Sequence, residues 1–224
     1  MSGRNPECLV IGEPGAGKTL FTLALAEWLG QTQLELSQEV AAGRVVTRTW
    51  RTPEAKAALV GQGPRTTRSL QWATLSVPLG IGRGRKELVV VDSAGLPSSV
   101  SADPEFRAAS AEVLRQLRRA QMVVHVVDAS RVTAPGELDR QLAAYAADQK
   151  PGRYMLLANK TDLPAGRAGL RRLRRALPGV EVLAVSALQG TGLQAVGRRL
   201  RRFLLECPPP RQAGGRQGGG TGTR

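Results

Sequence analysis

Short apolar runs at intervals organise the chain. Cys8-Leu9-Val10-Ile11, Val89-Val90-Val91, Met122 to Val127 and Tyr154 to Ala158 are nearly all hydrophobic. Runs of that length predict strands buried in a sheet. Val182 to Val185 is a fifth. Helical patterns separate them. One spans 18–29, a second runs from Asp103-Pro104 to Arg119, a third from Pro135 to Asp148, and a fourth follows Pro164. In the last helix Leu193, Val196, Leu200, Phe203 and Leu204 share one face and form its core side. Alternating strands and helices predict an α/β fold with a mostly parallel sheet. Ser69 to Leu79 differs, because it alternates. Leu70, Trp72, Thr74 and Ser76 fall on one side, and Gln71, Ala73, Leu75 and Val77 on the other. Residues 80–84, rich in glycine, then turn it into the strand Glu87 to Val91 as a hairpin.

The loops between these elements carry the chemistry. Residues 12–19 read GEPGAGKT, a full match to the G-x-x-x-x-G-K-[ST] phosphate loop, between the first strand and the first helix. Backbone amides of Gly12, Glu13, Pro14, Gly15, Ala16 and Gly17, proline excepted, and the helix start converge there on a polyphosphate. Lys18 is the catalytic cation, reaching the β- and γ-phosphates, and the Thr19 hydroxyl is a Mg²⁺ ligand. Asn159-Lys160-Thr161-Asp162 ends a strand, at the sheet edge where α/β proteins bind ligands. Asp162 can accept from the ring N–H and exocyclic amine of guanine, a donor pair that adenine lacks. Asn159 can meet the other edge of the base, and the Lys160 stem can lie along its face. A plainer role for Asp162 is to cap the helix after Pro164. Asp92 ends another strand and is placed to hold Mg²⁺; Gly95 follows, with an amide for a γ-phosphate. The backbone of Ser186-Ala187-Leu188 can contact the guanine oxygen, although Ser186 reads equally well as a helix N-cap.

The order GEPGAGKT, DSAGL, NKTD, SAL resembles the signature motifs of the Ras-like, translation-factor class of GTPases. The bacterial Era/TrmE/EngA-type group is the nearest in look. Asp92 to Leu96 is similar to its DTAGL, residues 64–69 (PRTTRS) to its PGTTRD switch segment, and Val185 to Leu193 to its last guanine motif. The resemblance covers about residues 8 to 205. It implies a three-layer Ras-like G domain over 1–206, with a six-stranded, mostly parallel sheet and one antiparallel edge strand. It also implies GTP and GDP as ligands, Mg²⁺ held by Thr19, Asp92 and Thr67, and Thr67 as a catalytic switch residue beside Thr66. Three departures stand out. Gly15 replaces an Asn that often helps hold a monovalent cation in that group, which puts K⁺ activation in question. Leu96 stands where Ras-like enzymes place a water-orienting Gln, so slow intrinsic hydrolysis is expected. Residues 31–63 form an insertion before the switch threonines, with Thr52 expected to cap a helix begun by Pro53.

Composition adds a partner question. The 224 residues carry 32 basic and 18 acidic side chains, a net charge of +14, and only five of the basic residues are lysine. Arg167, Arg171, Arg172, Arg174 and Arg175 share one helix, and Arg198, Arg199, Arg201 and Arg202 the last one. They read equally as a solvated face or as a site for a polyanion. RNA or a ribosome is favoured over a lipid surface, because the last helix spends its apolar stripe on the core. Two cysteines, Cys8 and Cys207, make neither a disulfide nor a metal pattern, which points to a reducing cytoplasm. No run long enough to span a membrane occurs, and His125, Trp28, Trp50 and Trp72 read as packing residues. From Cys207 onward, prolines, glycines and arginines predict disorder. The expected function is a GTP-hydrolysing switch. The alternative is a guanine-nucleotide-binding module with vestigial hydrolysis.

Overall fold

The computed structural model describes residues 5–40, 44–61, 71–93, 95–96 and 104–208. Thr66 and Thr67, the rest of the switch segment, Ala94, Asp103 and the tail beyond Pro208 lie outside the described residues. The elements run β1 (Glu7–Ile11), α1 (Lys18–Trp28), β2 (Gln33–Val40), β3 (Arg44–Arg51), α2 (Thr52–Gly61), β4 (Gln71–Pro78), β5 (Arg85–Asp92), α3 (Pro104–Arg119), β6 (Met122–Asp128), α4 (Glu137–Ala147), β7 (Tyr154–Asn159), α5 (Pro164–Ala176), β8 (Val182–Ala184) and α6 (Leu193–Glu206).

One sheet takes all eight strands, in the order β3-β2-β4-β5-β1-β6-β7-β8. The block from β5 to β8 is parallel throughout. β4 runs antiparallel to β5, β2 to β4 and β3 to β2. The sheet therefore has eight strands, not six, and its antiparallel part is three strands, not one. The extra pair comes from the segment assigned to an insertion. Residues of β2 such as Gln33, Glu35 and Ser37 alternate with only Leu34 and Leu36, and β3 is exposed along almost its whole length. A ribbon solvated on one face carries little of the apolar signal that marks a strand.

Burial sorts the helices into two layers. Cys8, Val10, Val90, Val124, Val126 and Leu157 face α1 and α6 through Phe21, Leu25, Val196 and Phe203. Leu9, Ile11, Val91 and Val123 face Val113 of α3 and Leu142 of α4, while Val127, Leu156 and Ala158 face Leu173 of α5. Trp28 and Trp50 pack against the first core and Trp72 against the second layer, as expected of packing residues. His125 is wholly buried, its Nδ1 2.9 Å from the Tyr154 hydroxyl and its Nε2 3.3 Å from Asp139 Oδ1. Thr52 does not cap α2. It is the first residue of the helix, and its hydroxyl donates to the Gln31 carbonyl at 2.8 Å. Order also continues past residue 206. Cys207 is 8 % exposed within the first core, and Lys86 Nζ donates to the Leu204 and Cys207 carbonyls at 2.9 and 2.8 Å.

Candidate functional site

Every sequence-predicted site residue within the described residues lies at the carboxyl ends of the parallel strands. β1 delivers the phosphate loop, β5 delivers Asp92, β7 delivers Asn159, and the turn after β8 delivers Ser186 to Leu188. Hydrogen bonds tie these loops into one assembly. Ser93 N donates to Val10 O at 3.1 Å and Leu96 N to Gly12 O at 3.1 Å. Gly95 thereby stands against the phosphate loop: a Cβ on it would lie 2.6 Å from Pro14 N and 2.8 Å from the proline ring.

The phosphate loop bends around Lys18. Gly17 caps α1 at φ 90, a left-handed conformation that suits glycine. A Cβ there would also come 2.5 Å from Asn159 Nδ2. Lys18 is 6 % exposed, and its Nζ donates to the Gly12 and Glu13 carbonyls at 3.1 Å each. Burial pushes its pKa down; Asp92 and Glu13 push it back up. Gly15 is exposed, at φ 78, with nothing close to where a Cβ would stand.

Asp92 completes the phosphate end. It is 2 % exposed; the Thr19 hydroxyl donates to its Oδ2, while its Oδ1 is buried with no partner among the described residues. Burial raises its pKa to about 6, against the opposing pull of Thr19 and Lys18. A buried carboxylate oxygen left unsatisfied beside a threonine hydroxyl suits a hard, oxygen-seeking divalent cation. These two side chains therefore fit the Mg²⁺ role expected of them. Leu96 is 9 % exposed and packs with Leu9, Ile11 and Val91, so its side chain belongs to the core.

At the base end, the Asn159 side chain is 2 % exposed, and both halves of its amide bond to protein. Nδ2 donates to Ala16 O at 2.8 Å, and Oδ1 accepts from Ala187 N at 3.0 Å. Asn159 thus clips the phosphate loop to the turn after β8. Removing it strands a carbonyl and an amide, each costing about 1–3 kcal/mol when buried unpaired. Asn159→Ala should therefore lower the stability of the nucleotide-free protein by roughly 2–4 kcal/mol in urea denaturation. The Lys160 backbone is left-handed at φ 64, and its Nζ reaches Asp128 Oδ2 at 2.5 Å.

Asp162 is partly exposed, and its carboxylate has no partner among the described residues. It does not cap α5: the N-cap is Leu163, with no side-chain cap bond, and Pro164 opens the helix. Ser186 is not the cap of α6 either, since Gly192 holds that place. Ser186 instead closes its own turn, accepting from Gln189 N at 3.1 Å on Oγ and from Gly190 N at 2.8 Å on its carbonyl. With the Ala187 amide held by Asn159, the Leu188 amide has no partner among the described residues, and the Leu188 side chain is exposed.

Three residues of the site escaped the sequence reading. Asp128 ends β6 in register with Asn159 and gathers Lys160 Nζ, Ser130 N at 3.0 Å and Ser130 Oγ at 2.5 Å. Thr161 anchors the base turn to β8 by donating from Oγ1 to Val185 O at 2.8 Å. Arg167, in the first turns of α5, donates to the Thr161 and Asp162 carbonyls at 3.3 and 3.4 Å. The position of Asp128, an acid closing a buried strand as Asp92 does, is the one signal that pointed to any of them.

Residues 7–160 match a protein family described as 50S ribosome-binding GTPase. The chain is 34 % identical over 145 residues to GTPase Obg of Desulforudis audaxviator, a match covering 61 % of this chain and 34 % of that protein. It is 30 % identical over 163 residues to the tRNA modification GTPase MnmE of Roseiflexus castenholzii, covering 68 % of this chain and 32 % of that one. The match thus spans about a third of the length of these curated relatives. Among solved structures, Aquifex aeolicus Era bound to GDP and aluminium fluoride superposes with a TM-score of 0.57 at 13 % identity, over 92 % of this chain and 59 % of that one. Era in complex with MgGDPNP and a segment of 16S ribosomal RNA gives a TM-score of 0.59 at 15 % identity, over 89 % and 57 %. At those identities the likeness shows a shared fold. Among the described residues no helix is long and apolar enough to cross a membrane.

Proposed function

The chain belongs to the 50S ribosome-binding GTPase family, and on that basis we propose that it binds GTP and GDP with Mg²⁺, hydrolyses GTP slowly and switches state between the two. The observation that carries this reading is the clip at Asn159. One buried amide joins the phosphate loop to the loops of the base end, so both halves of a nucleotide meet a single rigid site. Lys18 would compensate charge on the β- and γ-phosphates, leaving its two carbonyl partners for them. The amides at the α1 start would hold the same oxygens. Thr19 and Asp92 would hold Mg²⁺, joined in the GTP state by Thr67. When bound, that ion neutralises charge developing on the transferred phosphoryl group. Asp162 would select guanine, and the Leu188 amide is the donor left for the guanine oxygen.

Hydrolysis needs a group to orient water, and the buried Leu96 side chain supplies none. A single-turnover assay on the purified protein tests this. Intrinsic cleavage on the order of 10⁻³ s⁻¹ or slower is expected, with acceleration by ribosomal particles or RNA. GTP bound tightly but never cleaved, alone or with those partners, would establish the alternative of a binding module whose hydrolysis is vestigial, a reading that the burial of Leu96 favours.

RNA is the partner that the surface supports. Several of the clustered arginines are spoken for: Arg172 Nη1 on Val132 O at 2.9 Å, Arg174 Nη2 on Val182 O at 3.0 Å, Arg199 on Glu181, and Arg202 near Glu206 at 3.6 Å. Arg201 lies over the Trp28 ring at 5.7 Å. Arg171, Arg175 and Arg198 are exposed and have no acidic partner among the described residues. The open charge is thus concentrated on α5 more than on α6.

A further inference from the structure

We infer that RNA bound along α5 loosens the nucleotide, because the arginine stripe that would hold RNA begins with the residue that braces the guanine loop. The inference rests on the RNA reading above and adds a regulatory consequence to it. Arg167, Arg171 and Arg175 are spaced four apart on α5 and are all exposed. Residues at that spacing line one face of a helix, about 6 Å apart along its axis. No acidic side chain pairs with any of the three among the described residues. Such a stripe complements a phosphate backbone. The exposed faces of α5 offer only Leu163, at its cap, as a large apolar side chain, which favours RNA over a lipid bilayer.

Arg167 is the link. Its Nε and Nη2 donate to the carbonyls of Thr161 and Asp162, the second being the residue that selects the base. Both bonds are long and solvent-exposed, so they are weak. A phosphate is a better acceptor for a guanidinium than a neutral carbonyl, because the bond is charge-assisted on both sides. RNA engaging Arg171 and Arg175 brings phosphates within reach of Arg167 and draws it off the loop. The helix packs closely on the base turn. Gly166 and Gly169 bring its backbone so near that a Cβ at either would collide with the Lys160 or Ala129 carbonyl oxygen. The stripe and the base turn therefore stay adjacent, and binding at one is felt at the other. Coupling of this kind is reciprocal, so nucleotide must weaken RNA by the factor by which RNA weakens nucleotide.

Two measurements on the whole chain test this: release of fluorescent GDP, and anisotropy of labelled poly(U) and of an RNA duplex. RNA should speed GDP release about tenfold in the wild type, the loss of two modest hydrogen bonds. The nucleotide-free protein should bind RNA about tenfold more tightly than the GDP form. Arg167→Gln should release GDP rapidly without RNA and gain little when RNA is added, a response that a merely structural arginine would not give. Arg171→Gln/Arg175→Gln should weaken RNA binding and move the acceleration to higher RNA concentration. If RNA binds the wild type and release is unchanged, the coupling is wrong while the RNA reading stands. If no RNA binds at all, the RNA reading fails and the inference with it. Acceleration by anionic phospholipid vesicles but not by RNA would also overturn it, in favour of a membrane surface.

Discussion

Asp162→Asn should turn a guanine-selective protein into a xanthine-selective one. A carboxylate accepts from both the ring N–H and the exocyclic amine of guanine. An asparagine in its place can still accept from the ring N–H, but its amide N–H₂ then faces another donor. Xanthine carries an oxygen where guanine carries that amine, so the new amide finds an acceptor. A site built to satisfy a polar group rejects the analogue that leaves it unpaired by ~10⁴-fold or more. The Asp162 carboxylate is available for this work. It neither caps α5 nor bonds to any described residue, so the substitution should leave the fold intact. Competition of GDP and XDP against a fluorescent guanine nucleotide measures the exchange. Wild-type protein that takes ATP as readily as GTP would remove the basis for it.

Lys18→Ala should reduce GTP affinity by about 10³-fold, the cost of leaving buried phosphate charge without its cationic partner. The ammonium donates to the Gly12 and Glu13 carbonyls at 3.1 Å each. Burial works against its charge and Asp92 works for it. Alanine removes the one cation that the phosphate loop itself places at this buried spot. Calorimetry with GTP reads the loss, and an unchanged circular dichroism spectrum shows that the loop alone is affected. Normal GTP binding by this variant would mean that residues 12–19 are a glycine turn and not a phosphate site.

What was legible in the sequence was what the chain encodes locally or by burial. The GEPGAGKT spacing sets a loop conformation by covalent geometry, and α1 follows it where expected. β1, β5, β6 and β7 announce themselves because the parallel block is buried on both faces. β2 and β3 did not, because their exposed face dilutes the apolar pattern that would mark them. At the site, the Asp92 Oδ1 has no partner among the described residues. The bonds of Asn159 and Lys160 were not legible, because each is made to a neighbour that only tertiary structure supplies. Asn159 turns to Ala16, 143 residues away in sequence, and Lys160 to Asp128 across the β6–β7 register. The bracing by Arg167 was hidden for a similar reason: its partners are main-chain carbonyls, which look alike in every sequence.

The ribbon of β2 and β3 also leaves the eight-stranded sheet with an open flank. Among the described residues β3 pairs on one side alone, beside a half-exposed Val45. Such a flank is a template on which another extended chain could add itself, the first step toward fibrous aggregation. Arg44, Arg48 and Arg51 lie along it. A second copy docking there would bring the same three charges into register with these, and their repulsion opposes sheet growth. The positive charge of this flank thus works against growth of the sheet, whatever its bearing on RNA.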